Sequence, residues 1–290
     1  MIKVDWCRHC GAEARMTEEH LPPKSAGNAE PITVYNEVNG ALKVLRSYDK
    51  GHTIPSLCLD CNGGASKRGL PQAYATWRED VFGLLGQSAA AMHAAFGWDH
   101  NDLWLLAKSE TEAFWLPMEH GRGIAAGGGV SLHPGRIARQ VIGMILAVQG
   151  TRQLRDERPE LIAAYESKGP ASLTRHSLHV ALADTGTLAY FTDSVLAVTV
   201  DRSSQRGPRA TPFWAIVFRP FVIMLSEGAS APIEAARIDQ WLTYPDNAIF
   251  TRADRKTSYP IAHQGNLLVG FLHSGADQVR QAERPSTETV

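Results

Sequence analysis

The four cysteines of this chain all lie within the first 61 residues and come as two pairs, Cys7-x-x-Cys10 and Cys58-x-x-Cys61. Two CxxC knuckles offer four thiolates, the donor set of a tetrahedral structural zinc site. A secreted disulfide framework would staple the rest of so long a chain as well. The spacing therefore assigns Cys7, Cys10, Cys58 and Cys61 to one structural Zn2+. Between the pairs runs Thr17-Glu18-Glu19-His20-Leu21-Pro22-Pro23-Lys24-Ser25, and the second pair continues as Leu57-Cys58-Leu59-Asp60-Cys61-Asn62, with Lys67 beyond. Phosphodiester hydrolysis needs a base for the attacking water and a Lewis acid to offset charge on the phosphate and the leaving oxygen. A histidine, with an ordinary pKa of about 6.5, can take that proton at neutral pH. A neighbouring carboxylate and a side-chain carbonyl from a helix can hold a hard divalent ion. Zinc would draw the two halves together and turn Asn62 toward the strand that carries His20.

In this order the residues resemble the HNH endonuclease family, in the form where two CxxC pairs hold a structural zinc. That pattern is CxxC, an acidic residue directly before His with Pro soon after, then Leu-Cys-x-x-Cys followed by His or Asn. The resemblance covers roughly residues 5–70. It implies a zinc-containing ββα-metal module with His20 as general base and Glu19 and Asn62 as ligands of a catalytic Mg2+ or Mn2+. It implies Lys24 and Lys67 as phosphate contacts, and single-metal cleavage of nucleic acid, expected to be DNA, leaving a 5′-phosphate and a 3′-hydroxyl. By the same resemblance the setting is restriction or antiviral defence. Plainer readings stand beside these: Glu18 rather than Glu19 faces the site, Asn62 caps its helix, and the lysines are simply solvated. One departure matters. The family's middle asparagine, which orients the base, falls here on Thr53, beside His52. Thr53, His52, Asn39 and Asn28 are the candidates for that role. The competing reading is a module that kept the fold and lost the cut, a zinc-dependent nucleic-acid-binding or protein-interaction module.

These residues need a scaffold, and 290 residues exceed a usual single domain. With 44% hydrophobic and 20% charged residues, there is ample material for a core. A net charge of −1 and a pI near 6.8 argue against a protein that coats nucleic acid through bulk charge, and leave phosphate binding to local patches. The start of the chain, Met1 to Asp5, lacks the apolar stretch of a signal peptide. The longest apolar segment, Ile137 to Val148, falls far short of the roughly 20 residues of a membrane span. The sequence thus reads as soluble, intracellular and cytoplasmic, with no membrane partner.

The expected fold class is α+β: a zinc-stapled module over 1–70, a helical connector over 71–130, a mostly antiparallel α+β domain over 131–275 and a disordered tail over 276–290. Within the first unit, Ile32–Tyr35 and Ala41–Tyr48 flank Asn39-Gly40 and predict a hairpin. Tyr74, Trp77, Val81, Leu84 and Leu85 predict one face of a helix from Leu70 to about His100. Pro134 suits the start of another, with Ile137, Val141, Ile145 and Val148 as its buried stripe, and Glu160–Lys168 is a third. Strands are predicted at Leu178–Ala183, Val195–Val200, Phe213–Phe218, Phe221–Leu225 and Leu267–Leu272, with a helix over Ile233–Leu242. Arg202, Arg206 and Arg209 sit in a basic loop that could touch a nucleic-acid backbone, or could be a solvated hairpin loop. Arg136, Arg139, Arg152 and Arg155 form a basic helix edge or pair with Asp156, Glu157 and Glu160. Trp214 and Trp241 read as core. The C-terminal part is left to recognise a target, sense a signal, form a homo-oligomer or take a regulatory partner.

Overall fold

The structure is a computed structural model, and it describes residues 4–29, 32–38, 41–81, 131–183, 188–199, 209–218, 220–228, 235–249, 261–262, 271–272 and 279–283. Its class is mixed α+β, with antiparallel pairing dominant. A small sheet holds β1 (Val4–Trp6), β2 (Glu13–His20) and β5 (Thr53–Cys58) in the order β1-β2-β5. Helix α1 (Leu59–Lys67) follows β5 directly. The expected hairpin is present as β3 (Ile32–Val38) and β4 (Ala41–Tyr48), but it does not join this sheet. It lies at the edge of a larger one whose order is β10-β6-β9-β8-β7-β13-β3-β4. Those strands are β6 (His176–Ala183), β7 (Leu188–Thr199), β8 (Arg209–Phe218), β9 (Phe221–Glu227), β10 (Ala236–Arg237) and β13 (Val279–Glu283). Two short strands lie off this path: β11 (Ile261–Ala262), parallel to β6, and β12 (Phe271–Leu272), antiparallel to β7. No helix among the described residues is long and apolar enough to cross a membrane.

Three expectations change. The tail expected to be disordered contains β13, which pairs with β3 on one side and β7 on the other and so carries the hairpin onto the large sheet. Val-Arg-Gln-Ala-Glu has no apolar alternation, so only the unmet backbone groups of two distant strands make a strand there. The helix expected over Ile233–Leu242 is replaced by β10 and a 3-10 turn, Asp239–Thr243. The exposed edge of β6 captures the backbone, with Ala236 opposite Val180 and the Ile238 N–H donating to Leu178 O at 2.8 Å. Residues 231–234 and 267–270 lie outside the described residues, so only Phe271–Leu272 of the last expected strand is seen. Strand β7 begins well before the expected Val195.

Helix α2 (residues 70–81) presents Tyr74, Trp77 and Val81 to the interior as expected, while Leu84 and Leu85 lie outside the described residues. Trp77 stacks on Phe221 at 4.0 Å and meets Trp241 edge-on, and Trp214 and Trp241 are core residues. The central element is α3 (Pro134–Ala147), with Pro134 in its first turn. Its stripe of Ile137, Val141, Ile145 and Val148 is buried, but so are Ala138, Ile142, Met144 and Leu146, so the helix is surrounded rather than laid on a surface. The cost of enclosing Arg139 is met by hydrogen bonds to the carbonyls of Gly169, Leu242 and Tyr244 and by Asp246 at 3.5 Å. One continuous cluster of buried side chains runs from Cys7, just after β1, to Leu242.

Two short helices follow, α4 (Gln153–Glu157) and α5 (Pro159–Glu166). Glu160 of α5 binds the start of β6, accepting from His176 Nδ1 at 2.5 Å and from the backbone and hydroxyl of Thr174. Burial pushes its carboxyl up, but the bonds from His176, Thr174 and Arg175 outweigh that and hold it at about 2. A carboxylate depressed on folding stabilises the native state above its unfolded pKa of about 4.3, and that contribution disappears as pH falls toward 2. Acid unfolding of Glu160→Gln is therefore expected to lose a component of on the order of 2 kcal/mol between pH 4.5 and 2, read from urea midpoints across that range. Identical pH slopes for the two proteins would remove Glu160 from the account.

Candidate functional site

The knuckles are built from two loops that the small sheet brings together. Cys7 and Cys10 lie in the turn after β1, and Cys58 and Cys61 span the junction of β5 and α1. Their four sulfurs all lie within 4.8 Å of one another, so one ion could be held by all four. Thiolates bound about 2.3 Å from a tetrahedral ion sit about 3.8 Å apart. Cys10 Sγ and Cys58 Sγ are separated by 3.8 Å. The thiol of Cys61 pulls Cys7 down to about 3 against the effect of burial, and Cys61 is itself driven up. Four thiolates this close cannot all be charged without a cation among them.

Residues far along the chain hold the first knuckle. Arg155 donates to His9 O at 2.7 Å and Cys10 O at 3.0 Å, and Arg152 donates to Gly11 O at 3.1 Å. Arg8 reaches back to Gln149 O and Gly150 O. His9 donates from Nε2 to Gly143 O at 2.9 Å and packs on the Tyr165 ring. A Cβ at Gly143 would stand 2.7 Å from Tyr165, so this seat for the knuckle requires glycine. Arg152 and Arg155 also pair with Asp156, one of the two readings of that edge, whereas Arg139 pairs with Asp246. Arg155→Ala is expected to cost about 1–2 kcal/mol in urea unfolding and to speed the loss to a chelator of any ion held by the four thiols. An unchanged midpoint and release rate would show that the knuckle stands without it.

His20 ends β2, opposite Thr53 of β5. It is half-buried, and its Nδ1 lies 3.1 Å from the carbonyl oxygen of Asn28. A carbonyl only accepts, so Nδ1 carries the proton and Nε2 carries the lone pair. Burial lowers the pKa of the ring, the Asn28 carbonyl opposes it, and Lys24 lowers it further, so the imidazole is neutral at pH 7. Asn28 is wholly buried, and its side chain donates to Pro22 O at 2.8 Å and His52 O at 2.9 Å while accepting from His52 N–H at 2.7 Å. Gly51, with φ at +81°, lets the opposite loop lie against Asn28, since a Cβ there would stand 2.0 Å from Asn28 O. Of the four candidates for orienting His20, Asn28 has this geometry. Thr53 only pairs through the strand, His52 works through Asn28, and Asn39 lies outside the described residues.

The strand's alternation divides the remaining residues. Glu18 is exposed and acts electrostatically on His20. Glu19, on the other face with Thr17, is half-buried and acts with Cys61 on Tyr165, and burial pushes its carboxyl up to about 7. Asn62 lies in the first turn of α1, but the helix is capped at Cys58 without a side-chain bond, so Asn62 is not its cap. Its amide donates instead to Thr17 Oγ1 at 3.1 Å, tying α1 to the face of β2 that carries Thr17 and Glu19. Lys24, in the 3-10 turn Lys24–Ala26, and Lys67, at the end of α1, are both exposed. Arg202 and Arg206 lie outside the described residues, and Arg209 opens β8 opposite Thr199. Sequence reasoning missed Tyr190, whose hydroxyl lies 2.8 Å from His52 Nδ1 and donates to Leu21 O. No local signal marks it, because it sits in an ordinary strand run. No family model matches this chain, and no curated protein or solved structure matches it either.

Proposed function

We propose that this chain is a metal-dependent endonuclease that hydrolyses phosphodiester bonds, expected to be those of DNA, by a one-metal HNH mechanism. The observation that carries this reading is the setting of His20: a neutral imidazole at a strand end, its Nδ1–H engaged by Asn28 O and its Nε2 left to accept a proton. Beside it, β2, β5 and α1 form two strands and a helix, pinned by the four-thiol site and by the bond from Asn62 to Thr17. Four thiolates favour zinc at the knuckles, in a structural role. By the HNH resemblance Glu19 and Asn62 would hold the ion, but both lie on the Thr17 side of β2, opposite His20. Glu18, on the His20 face, is the carboxylate that suits an ion working with that base. A small count of protein ligands suits Mg2+ or Mn2+. When bound, such an ion supplies Lewis-acid stabilisation of charge on the phosphate and the leaving oxygen.

In the reaction, His20 Nε2 takes a proton from the attacking water as its oxygen bonds to phosphorus. The bond from phosphorus to the 3′ oxygen breaks, and that oxygen takes a proton from solvent, which leaves a 5′-phosphate and a 3′-hydroxyl. Lys24, which acts electrostatically on His20, and Lys67, exposed at the end of α1, would meet phosphate oxygens. The test is cleavage of supercoiled plasmid, single-stranded DNA and RNA by the purified full chain with added Mg2+ or Mn2+. Metal-dependent nicking is the expected result. Binding without cutting of any substrate under any metal would replace this reading with the zinc-dependent binding module.

A further inference from the structure

We propose that Tyr190, on β7 of the large sheet, is a positioning residue for His20, so that the seating of the large sheet sets the state of the candidate base. This inference rests on the nuclease reading for its effect on rate, but not for its effect on His20 itself. Tyr190 is buried, and its hydroxyl donates its one proton to the carbonyl of Leu21, the residue directly after His20. The same oxygen lies 2.8 Å from His52 Nδ1 and has no second proton to give, so His52 must be the donor there. His52 in turn fixes the Asn28 side chain through both of its own backbone groups, its N–H donating to Oδ1 at 2.7 Å and its carbonyl accepting from Nδ2 at 2.9 Å. Asn28 supplies the carbonyl that takes His20 Nδ1–H. Leu21 N–H closes the circuit on His52 O at 3.4 Å.

One phenol therefore holds both ends of the loop that carries the base: the backbone just after His20 and the side chain of the residue that anchors Asn28. Leu21 and His52 are 2% and 1% exposed, so water does not readily replace the bonds they would lose. The rings of Tyr48 and Tyr190 pack against His52, which makes the ring geometry separable from the hydroxyl. The Asn28 carbonyl is the partner that selects the His20 tautomer. A loop released by even a fraction of an ångström then admits the other tautomer, with the proton on Nε2 and no lone pair facing a water.

The test is Tyr190→Phe, which keeps the ring and removes the hydroxyl. The readouts are the side-chain nitrogen chemical shifts of His20, at a fixed pH where the ring is neutral, and the split between kcat and KM in plasmid cleavage. Expected are a mixed tautomer population in place of pure Nδ1–H, and kcat lower by about 10- to 100-fold with KM within about twofold. Bound metal content should be unchanged. A wild-type tautomer with wild-type kcat overturns the proposal. A wild type that cuts nothing sinks the nuclease reading alone, because the tautomer readout still decides this one. Should Tyr190→Phe fail to fold, His52→Phe removes the other end of the relay and leaves an aromatic ring there. A pure Nδ1–H tautomer in that variant overturns the proposal, and a mixed one supports it.

Discussion

Replacement of His20 by alanine is expected to slow metal-dependent cleavage by about 1000-fold, with the fold and metal content intact. General-base assistance is worth about 100- to 10,000-fold. Glu18 is exposed on the His20 face and acts on the ring electrostatically. Glu19 lies on the other face of the strand, where it acts on Tyr165. The structural cost of the substitution is small, since His20 is only half-buried and gives up one bond, to Asn28 O. The measurement is the first-order rate of plasmid nicking under saturating metal, with circular dichroism and metal analysis of the same samples. If His20→Ala cuts at the wild-type rate, the base lies elsewhere and the assignment of this site fails.

Emptying the four-thiol site, by a strong chelator or by Cys58→Ser, is expected to lower the thermal midpoint by more than about 10 °C and to abolish any cleavage. Structural zinc sites contribute about 10–16 kcal/mol of apparent binding free energy, which becomes folding free energy where no preformed site exists in the unfolded chain. Here the ion would join the turn after β1 to the start of α1, beside the Cys58 N–H to Cys7 Sγ bond at 3.5 Å, the Cys10–Cys58 sulfur contact and the Arg8 N–H to Ser56 O bond at 3.0 Å. Without a cation the crowded thiols oppose one another, and α1 with Asn62 loses its anchor. Metal analysis should find one equivalent per chain in the wild type and none in the variant. A metal-free protein with an unchanged melt would mean that the cysteines are ordinary core thiols.

The local parts of this protein were legible in the residues. Two CxxC pairs bring four sulfurs together because zinc chemistry fixes both ligand type and spacing, and that geometry is present. The β3–β4 hairpin, α3 and the cores of β6, β8 and β9 followed from period and turn chemistry, which act over a few residues. Other features depended on contacts that no window of sequence contains. β13 becomes a strand because β3 and β7 offer unpaired edges on either side. Segment 236–243 gives up its helix because the β6 edge takes its backbone.

At the candidate site the same division holds. His20, Glu19 and Asn62 stood out by type and order, but the residue that orients His20 could not be chosen among four until the loops met. Asn28 takes that place because burial leaves its amide only backbone partners, and those come from loops on both sides of the hairpin insert. Tyr190 and Arg155 reach the base loop and the knuckle from more than a hundred residues away. Sequence determined which groups could do chemistry, since that is a property of side chains and short spacing. Tertiary structure alone decided which carbonyl, phenol and guanidinium hold them, because those bonds form only where distant segments are buried together.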